Sequence, residues 1–208
     1  DFMNYIFAYD GGGTKTHLAV FTLNGFKVYE EIGLGSNHAS SDGHLFESVI
    51  SGLFNNAKKA LKISDDAIKF IYLGLSGADT EADYKKLHKL CKNIFASVPY
   101  QFDNDAWIIM RSGLTKPYGA VAISGTGTNA AAMNQTGKKT ILRSLGYVLG
   151  IYGGGLDIAR EALHYAFRAD ELTYKDTVLK PMILDFFNAK NMDEVVAHFY
   201  PEMTITKQ

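Results

Sequence analysis

Two glycine-rich turns contain the residues best suited to chemistry in this chain. Tyr9-Asp10-Gly11-Gly12-Gly13-Thr14-Lys15 lies near the amino terminus, and Ile123-Ser124-Gly125-Thr126-Gly127-Thr128-Asn129 repeats its plan further along. Glycine has no Cβ, so backbone N–H groups in such a turn can approach an anion closely. Two such turns facing each other could hold one polyphosphate from both sides. Asp10, at the end of an apolar run, suits water-mediated contact with Mg²⁺. Thr14 and Thr16 offer hydroxyl donors to phosphate oxygens, and Lys15 adds positive charge. The alternative for the first copy is a plain tight hairpin, which has little reason to order three consecutive glycines. Neither copy follows the Gly-x-x-x-x-Gly-Lys-Ser/Thr or Gly-x-Gly-x-x-Gly spacing, and here a strand rather than a helix is expected to follow.

Asn104-Asp105 stands where a strand is expected to end and a helix to begin. One reading is an ordinary helix N-cap. The other makes Asp105 a general base that orients a hydroxyl nucleophile and takes its proton during phosphoryl transfer. Gly35-Ser36-Asn37-His38 is either a loop leading into a capped helix or a sugar contact, since the Asn37 amide both donates and accepts. Leu75-Ser76-Gly77-Ala78-Asp79 is likewise a strand-end turn or one wall of a substrate cleft. The six histidines show no metal-ligand spacing, and Trp107 reads as core.

The elements that must position these residues follow from periodicity and punctuation. Strands are expected over residues 4–10, 16–23 and 26–32, with Asn24-Gly25 as the first loop. Ser40-Ser41-Asp42 offers caps for a helix running to about Leu61. A strand over 69–75, a helix over 80–95, a strand near 98–102 and a helix over 106–112 complete an alternating set. Lys116-Pro117-Tyr118-Gly119 marks the expected domain boundary, giving domains 1–117 and 118–208. The second unit then repeats strand, turn, strand, with a loop over Asn134 to Gly137 and a further strand over 139–143. After a glycine-rich connection over 146–155, helices are expected over 156–168, 174–188 and 192–199. If the two halves are equivalent, the second is incomplete in this chain.

At 208 residues, with 47% hydrophobic and 21% charged, the chain can bury a real core. A formal net charge of −1 gives no reason to expect nucleic acid or an anionic membrane as partner. Lys85, Lys86, Lys89 and Lys92 read as a solvated helix face. One cysteine, Cys91, cannot form an internal disulfide or supply a cysteine-ligated cluster within one chain, which fits a reducing cytoplasm.

In this order, Asp-Gly-Gly-Gly-Thr-Lys-Thr, Gly-Leu-Ser-Gly-Ala-Asp, Asn-Asp and Ile-Ser-Gly-Thr-Gly-Thr-Asn resemble the BadF/BadG/BcrA/BcrD ATPase family over about residues 4–170. That family includes the N-acetylglucosamine kinases and belongs to the actin and sugar kinase superfamily. The resemblance implies an α/β fold of two related ribonuclease-H-like, actin-like ATPase lobes around an ATP·Mg²⁺ cleft. It implies that Asp10, Gly11, Gly12, Gly13, Thr14, Lys15 and Thr16 form a first phosphate loop, and Gly125, Thr126, Gly127 and Thr128 a second. Asp105 would be catalytic base and sugar ligand, with Asn37, Ser76, Gly77, Ser144 and Gly146 on the sugar side. The partners implied are ATP and a small amino sugar, with a homodimer as a candidate assembly.

Two departures qualify the resemblance. Where relatives continue Gly-Tyr-Val-Leu-Gly with Asp-Glu-Gly-Ser-Gly, this chain has Gly150-Ile151-Tyr152-Gly153-Gly154-Gly155. Losing a charged partner from a buried sugar site typically costs about 1.5–3 kcal/mol. The resemblance also implies that the family's adenosine-binding loop is expected further along than this sequence runs. A sugar kinase is the leading expectation. A weakened sugar or nucleotide binder is the alternative, followed by an activator ATPase of a CoA-ester dehydratase or reductase, whose shared cluster needs two cysteines per subunit.

Overall fold

The computed structural model describes residues 3–39, 43–142, 144 and 146–200. The chain divides into two compact units: Asp1–Ile123 with Thr128–Ile151, and Ser124–Gly127 with Tyr152–Gln208.

The first unit is built on a five-stranded sheet in the order β3-β2-β1-β4-β5. Its strands are β1 (Tyr5–Gly11), β2 (Lys15–Thr22), β3 (Lys27–Leu34), β4 (Ile68–Leu75) and β5 (Tyr100–Asn104). The hairpins β1–β2 and β2–β3 are antiparallel, whereas β4 runs parallel to both β1 and β5. Alternation decides the faces. Phe7 and Tyr9 of β1, Leu18 and Val20 of β2, and Ile71, Leu73 and Leu75 of β4 are buried together. They pack against Phe46, Ile50 and Phe54 of α1 (His44–Leu61) and Leu87, Cys91 and Phe95 of α2 (Glu81–Phe95). Ile108 of α3 (Asp105–Gly113) covers Gly74, where a Cβ would lie 2.4 Å from the isoleucine Cδ1. The parallel strand β4 is therefore buried on both sides, as its nearly continuous apolar run requires.

A second sheet, β6-β7-β8, comprises Gly119–Ser124, Thr128–Met133 and Lys139–Ile141. Val121, Ile123, Ala131, Met133 and Ile141 pack with Ala106, Trp107 and Met110 of α3. This places β7, β8 and most of β6 in the first unit. Trp107 is core, as expected, with the Lys139 ammonium 4.7 Å from its ring centroid.

In the second unit, α5 (Gly155–Asp170), α6 (Leu179–Phe187) and α7 (Met192–Phe199) enclose Ala166, Ile183, Met192 and Val195. Two local expectations need correction. The connection over 146–155 contains a short helix, α4 (Gly146–Leu149). The helix expected from residue 174 begins at Leu179, because Asp176 Oδ1 accepts from Thr177 N and Thr177 Oγ1 from Leu179 N. Such side-chain bonds compete with helix and delay its start. The cap candidates Ser40, Ser41 and Asp42, and Arg143 at the expected end of β8, lie outside the described residues.

Candidate active site

Three parallel strands end side by side: β1 at Asp10-Gly11, β4 at Gly74-Leu75 and β5 at Asp103-Asn104. Ligands of open α/β sheets bind outside such carboxyl ends, where the chain turns away and leaves backbone groups unpaired by the ladder. Here the turns are tied together. Gly12 N donates to Lys15 O at 2.9 Å, closing the β1–β2 turn. Gly11 O accepts from Ser76 N at 2.8 Å, and Gly12 O from Ser36 N at 3.0 Å. The loop after β3 and the turn after β4 are thereby fastened to the first glycine turn. The approach is close enough that a Cβ on Gly35 would lie 2.1 Å from Gly13 O. Gly77 has φ +84°, and a Cβ there would meet the Asn37 amide at 2.9 Å.

Asn104 resolves the ambiguity at the start of α3. Its side-chain oxygen accepts from Ala106 N at 2.9 Å, so Asn104 is the N-cap. Its amide nitrogen donates to Asp79 Oδ1 at 2.8 Å. Asp105 is the first helical residue. Burial, together with the negative charge of Asp10, pushes its carboxyl up to about 6, against the opposing pull of backbone N–H groups at the helix start. Asp79 is also raised, first by burial and then by the charge of Asp83. An aspartate held near 6 is a stronger base than an ordinary carboxylate and is still mostly ionised at neutral pH.

The structure thus brings Asp10, Gly11, Gly12, Gly13, Asn37, Ser76, Gly77 and Asp105 into one neighbourhood of the first unit. Thr14 and Lys15 are exposed on the turn. Ser76 Oγ is buried without a hydrogen-bond partner. Thr16 departs from the expectation. It is fully buried, and its hydroxyl donates to Ser36 Oγ at 2.7 Å. The alternation of β2 explains this, since Thr16, Leu18 and Val20 all point inward. Ser144 Oγ donates to Thr128 O at 2.9 Å, and Gly146 takes φ +70° at the start of α4.

In the second unit, the Ser124–Gly127 turn is closed by Gly125 N donating to Gly127 O at 2.9 Å. Gly155 N and Leu156 N, at the start of α5, donate to Gly125 O and Thr126 O. A Cβ on Gly154 would lie 2.6 Å from the Gly127 carbonyl carbon. Asp157, buried, accepts from Gly153 N and Gly154 N and holds the glycine run in place. The packing roles of Gly35, Gly154 and Asp157 did not stand out in the sequence. A glycine beside a polar loop and an acid three residues after Gly154 were the available signals. Among the described residues, no group of three or more His, Cys, Asp or Glu could hold a metal ion by itself.

Comparison with known proteins bears on this arrangement. The model of the BadF/BadG/BcrA/BcrD ATPase family matches residues 9–208. An N-acetylmuramic acid/N-acetylglucosamine kinase of Clostridium acetobutylicum is 30% identical over 199 residues, covering 95% of this chain and 65% of that protein. An N-acetyl-D-glucosamine kinase of Dictyostelium discoideum is 28% identical over 204 residues, covering 94% and 64%. This chain therefore spans about two thirds of the length of either relative, slightly under that share in each. A structure assigned to an N-acetylglucosamine kinase of Chromobacterium violaceum superposes with a TM-score of 0.71 at 19% identity, over 90% of this chain and 65% of that one. A ROK family glucokinase of Streptomyces griseus, in complex with glucose and AMPPNP, gives 0.56 at 14% identity, over 90% and 67%. The fold is the ribonuclease-H-like α/β fold of actin-like sugar kinases. With nearly its whole length matched by the family model, the chain belongs to the BadF/BadG/BcrA/BcrD ATPase family.

Proposed function

We propose that this chain acts in an ATP-dependent sugar kinase that phosphorylates a primary hydroxyl of N-acetylglucosamine or a related amino sugar such as N-acetylmuramic acid. The observation that carries the reading is Asp105: a carboxylate at a strand end, raised to about 6 by burial and by Asp10, beside the first glycine turn. The names of the two curated relatives supply the substrate class.

In this reading the acceptor hydroxyl donates to Asp105. As its oxygen bonds to the γ-phosphorus, the bond from phosphorus to the β–γ bridging oxygen breaks, ADP leaves and the proton passes to Asp105. The backbone of Gly11, Gly12 and Gly13, with Thr14 and Lys15, holds phosphate from the first turn. Gly125, Thr126, Gly127 and Thr128 form a second phosphate loop. Asn37, Ser76, Gly77, Ser144 and Gly146 face the sugar. Domains 1–117 and 118–208 would be the two related lobes.

The residues present fit Mg²⁺ of the kind that keeps most of its waters, since exposed Asp10 offers one hard carboxylate and no all-protein cage is needed. When bound with nucleotide, the ion would neutralise charge on the transferring phosphoryl group. A reducing cytoplasm suits Cys91, whose thiol burial pushes up to about 12. That buried thiol also counts against the activator reading, which needs exposed thiolates to ligate a shared cluster.

Ile151 and Tyr152 favour a second reading, a binder with weakened chemistry. Incubation with ATP, Mg²⁺ and each amino sugar separates the two. Sugar-dependent ADP release with a matching phosphorylated sugar by mass spectrometry is expected. Calorimetric sugar binding without any phosphorylated product would overturn the kinase reading in favour of the binder.

A further inference from the structure

His38 has no part in the phosphoryl-transfer step, yet it is one of the few buried ionisable side chains, with 3% of its surface exposed. Its Nε2 lies 2.8 Å from Gly77 O and 3.3 Å from Asp83 Oδ1. Gly77 O can only accept, so the imidazole carries its proton on Nε2 and donates there. Asp83 is itself fixed, because its carboxylate accepts from Thr80 N and its backbone N–H donates to Thr80 Oγ1 in a capping box at the start of α2. One turn further along the same helix, Lys86 Nζ donates to His38 O at 3.2 Å. Lys86 is thus half-buried and engaged, unlike its exposed neighbours Lys85, Lys89 and Lys92.

Two loops meet at this ring. One carries Asn37 and the other carries Ser76 and Gly77. Gly77 stands so near Asn37 that a Cβ would touch the amide. Among the described residues, no backbone hydrogen bond joins these loops directly, whereas the imidazole does.

We propose that His38 is a positioning residue that latches the Asn37 loop to the Ser76-Gly77 turn, with α2 as the anchor, and so sets the geometry of the amino-sugar subsite. The inference rests on the sugar-kinase reading for its consequence, though not for the latch itself. His38→Ala removes the bridge. His38→Gln keeps an amide N–H able to reach Gly77 O.

Three measurements on the full chain test it. Amide hydrogen exchange in the sugar-free protein reads the latch over residues 36–39 and 76–78. Calorimetry with N-acetylglucosamine reads the subsite. His38→Ala is expected to speed exchange in both loops together and to weaken sugar binding about tenfold, with His38→Gln restoring binding to within about threefold. In turnover, KM for the sugar should rise while KM for ATP stays, a split that general destabilisation would not produce. A folded His38→Ala protein with unchanged exchange, or with unchanged sugar affinity where the parent binds sugar, overturns the proposal. If His38→Ala does not fold, Lys86→Met must loosen residues 36–39 alone; no change there also overturns it. Failure of the parent to bind any amino sugar would defeat the functional reading, while the exchange comparison still decides the latch.

Discussion

The two glycine turns are moored in the same way and equipped differently. In each, a glycine from later in the chain lies against the last glycine of the turn with no room for a Cβ: Gly35 against Gly13, Gly154 against Gly127. In each, the N–H of the following residue donates to a turn carbonyl, Ser36 to Gly12 and Gly155 to Gly125. The carboxylates differ. Asp105 beside the first turn is half-buried and raised by its surroundings, whereas Asp157 beside the second is buried and occupied by two backbone N–H groups. The mooring is common to both turns. The raised carboxylate accompanies the first only.

If that asymmetry is right, the largest effect comes from Asp105→Asn. Sugar-dependent turnover should fall about 10²–10⁴-fold, read by steady-state kinetics. The same variant should be more stable at neutral pH. A carboxyl raised in the folded state binds protons there that the unfolded chain has lost, so its ionisation costs stability as pH rises from its ordinary value through about 6. The melting midpoint should therefore rise, by roughly 2–4 °C for each kcal/mol recovered. By the same sign, kcat/KM for the sugar should climb with pH through a limb near 6 and then level off. A flat profile between pH 5 and about 8 would remove Asp105 from the chemistry.

The next effect tests whether the moorings are equivalent. Gly35→Ala and Gly154→Ala each force a methyl against backbone, so each should cost about 1–3 kcal/mol or more in thermal unfolding. Gly35→Ala should cost more, since its obstacle is nearer, at 2.1 Å against 2.6 Å. Equal melting curves for the parent and both variants would show that the turns are not pinned as described. The smallest effect is expected of Asp157→Asn. It keeps an acceptor for Gly153 and Gly154 but loses the charge, costing about 0.5–1.5 kcal/mol and leaving turnover nearly intact. A turnover loss as large as that of Asp105→Asn would mean that the second turn carries chemistry too.

Much of the first unit was legible in the sequence because its signals are local. Alternating Phe7 and Tyr9, helical spacing through α1, and Asn104-Asp105 at a strand end each mark a short stretch. The position of Thr16 was also legible, since Thr16, Leu18 and Val20 share the inward period of β2, but the motif drew attention to its hydroxyl instead. Long-range contacts were not legible. His38 meets Gly77, Gly35 meets Gly13 and Gly154 meets Gly127 only after the chain has folded, and no periodicity announces them. The late start of α6 was hidden for another reason: Asp176 and Thr177 are acceptable helix residues whose side chains happened to bind the backbone.

The central claim is that an amino-sugar hydroxyl is presented to Asp105 from the loops tied to the first glycine turn. A crystal structure of the chain with N-acetylglucosamine tests it most directly. The account predicts the primary hydroxyl oxygen within about 3.2 Å of an Asp105 carboxylate oxygen, with Asn37 on the sugar. A sugar bound with Asp105 out of reach of every hydroxyl would contradict it.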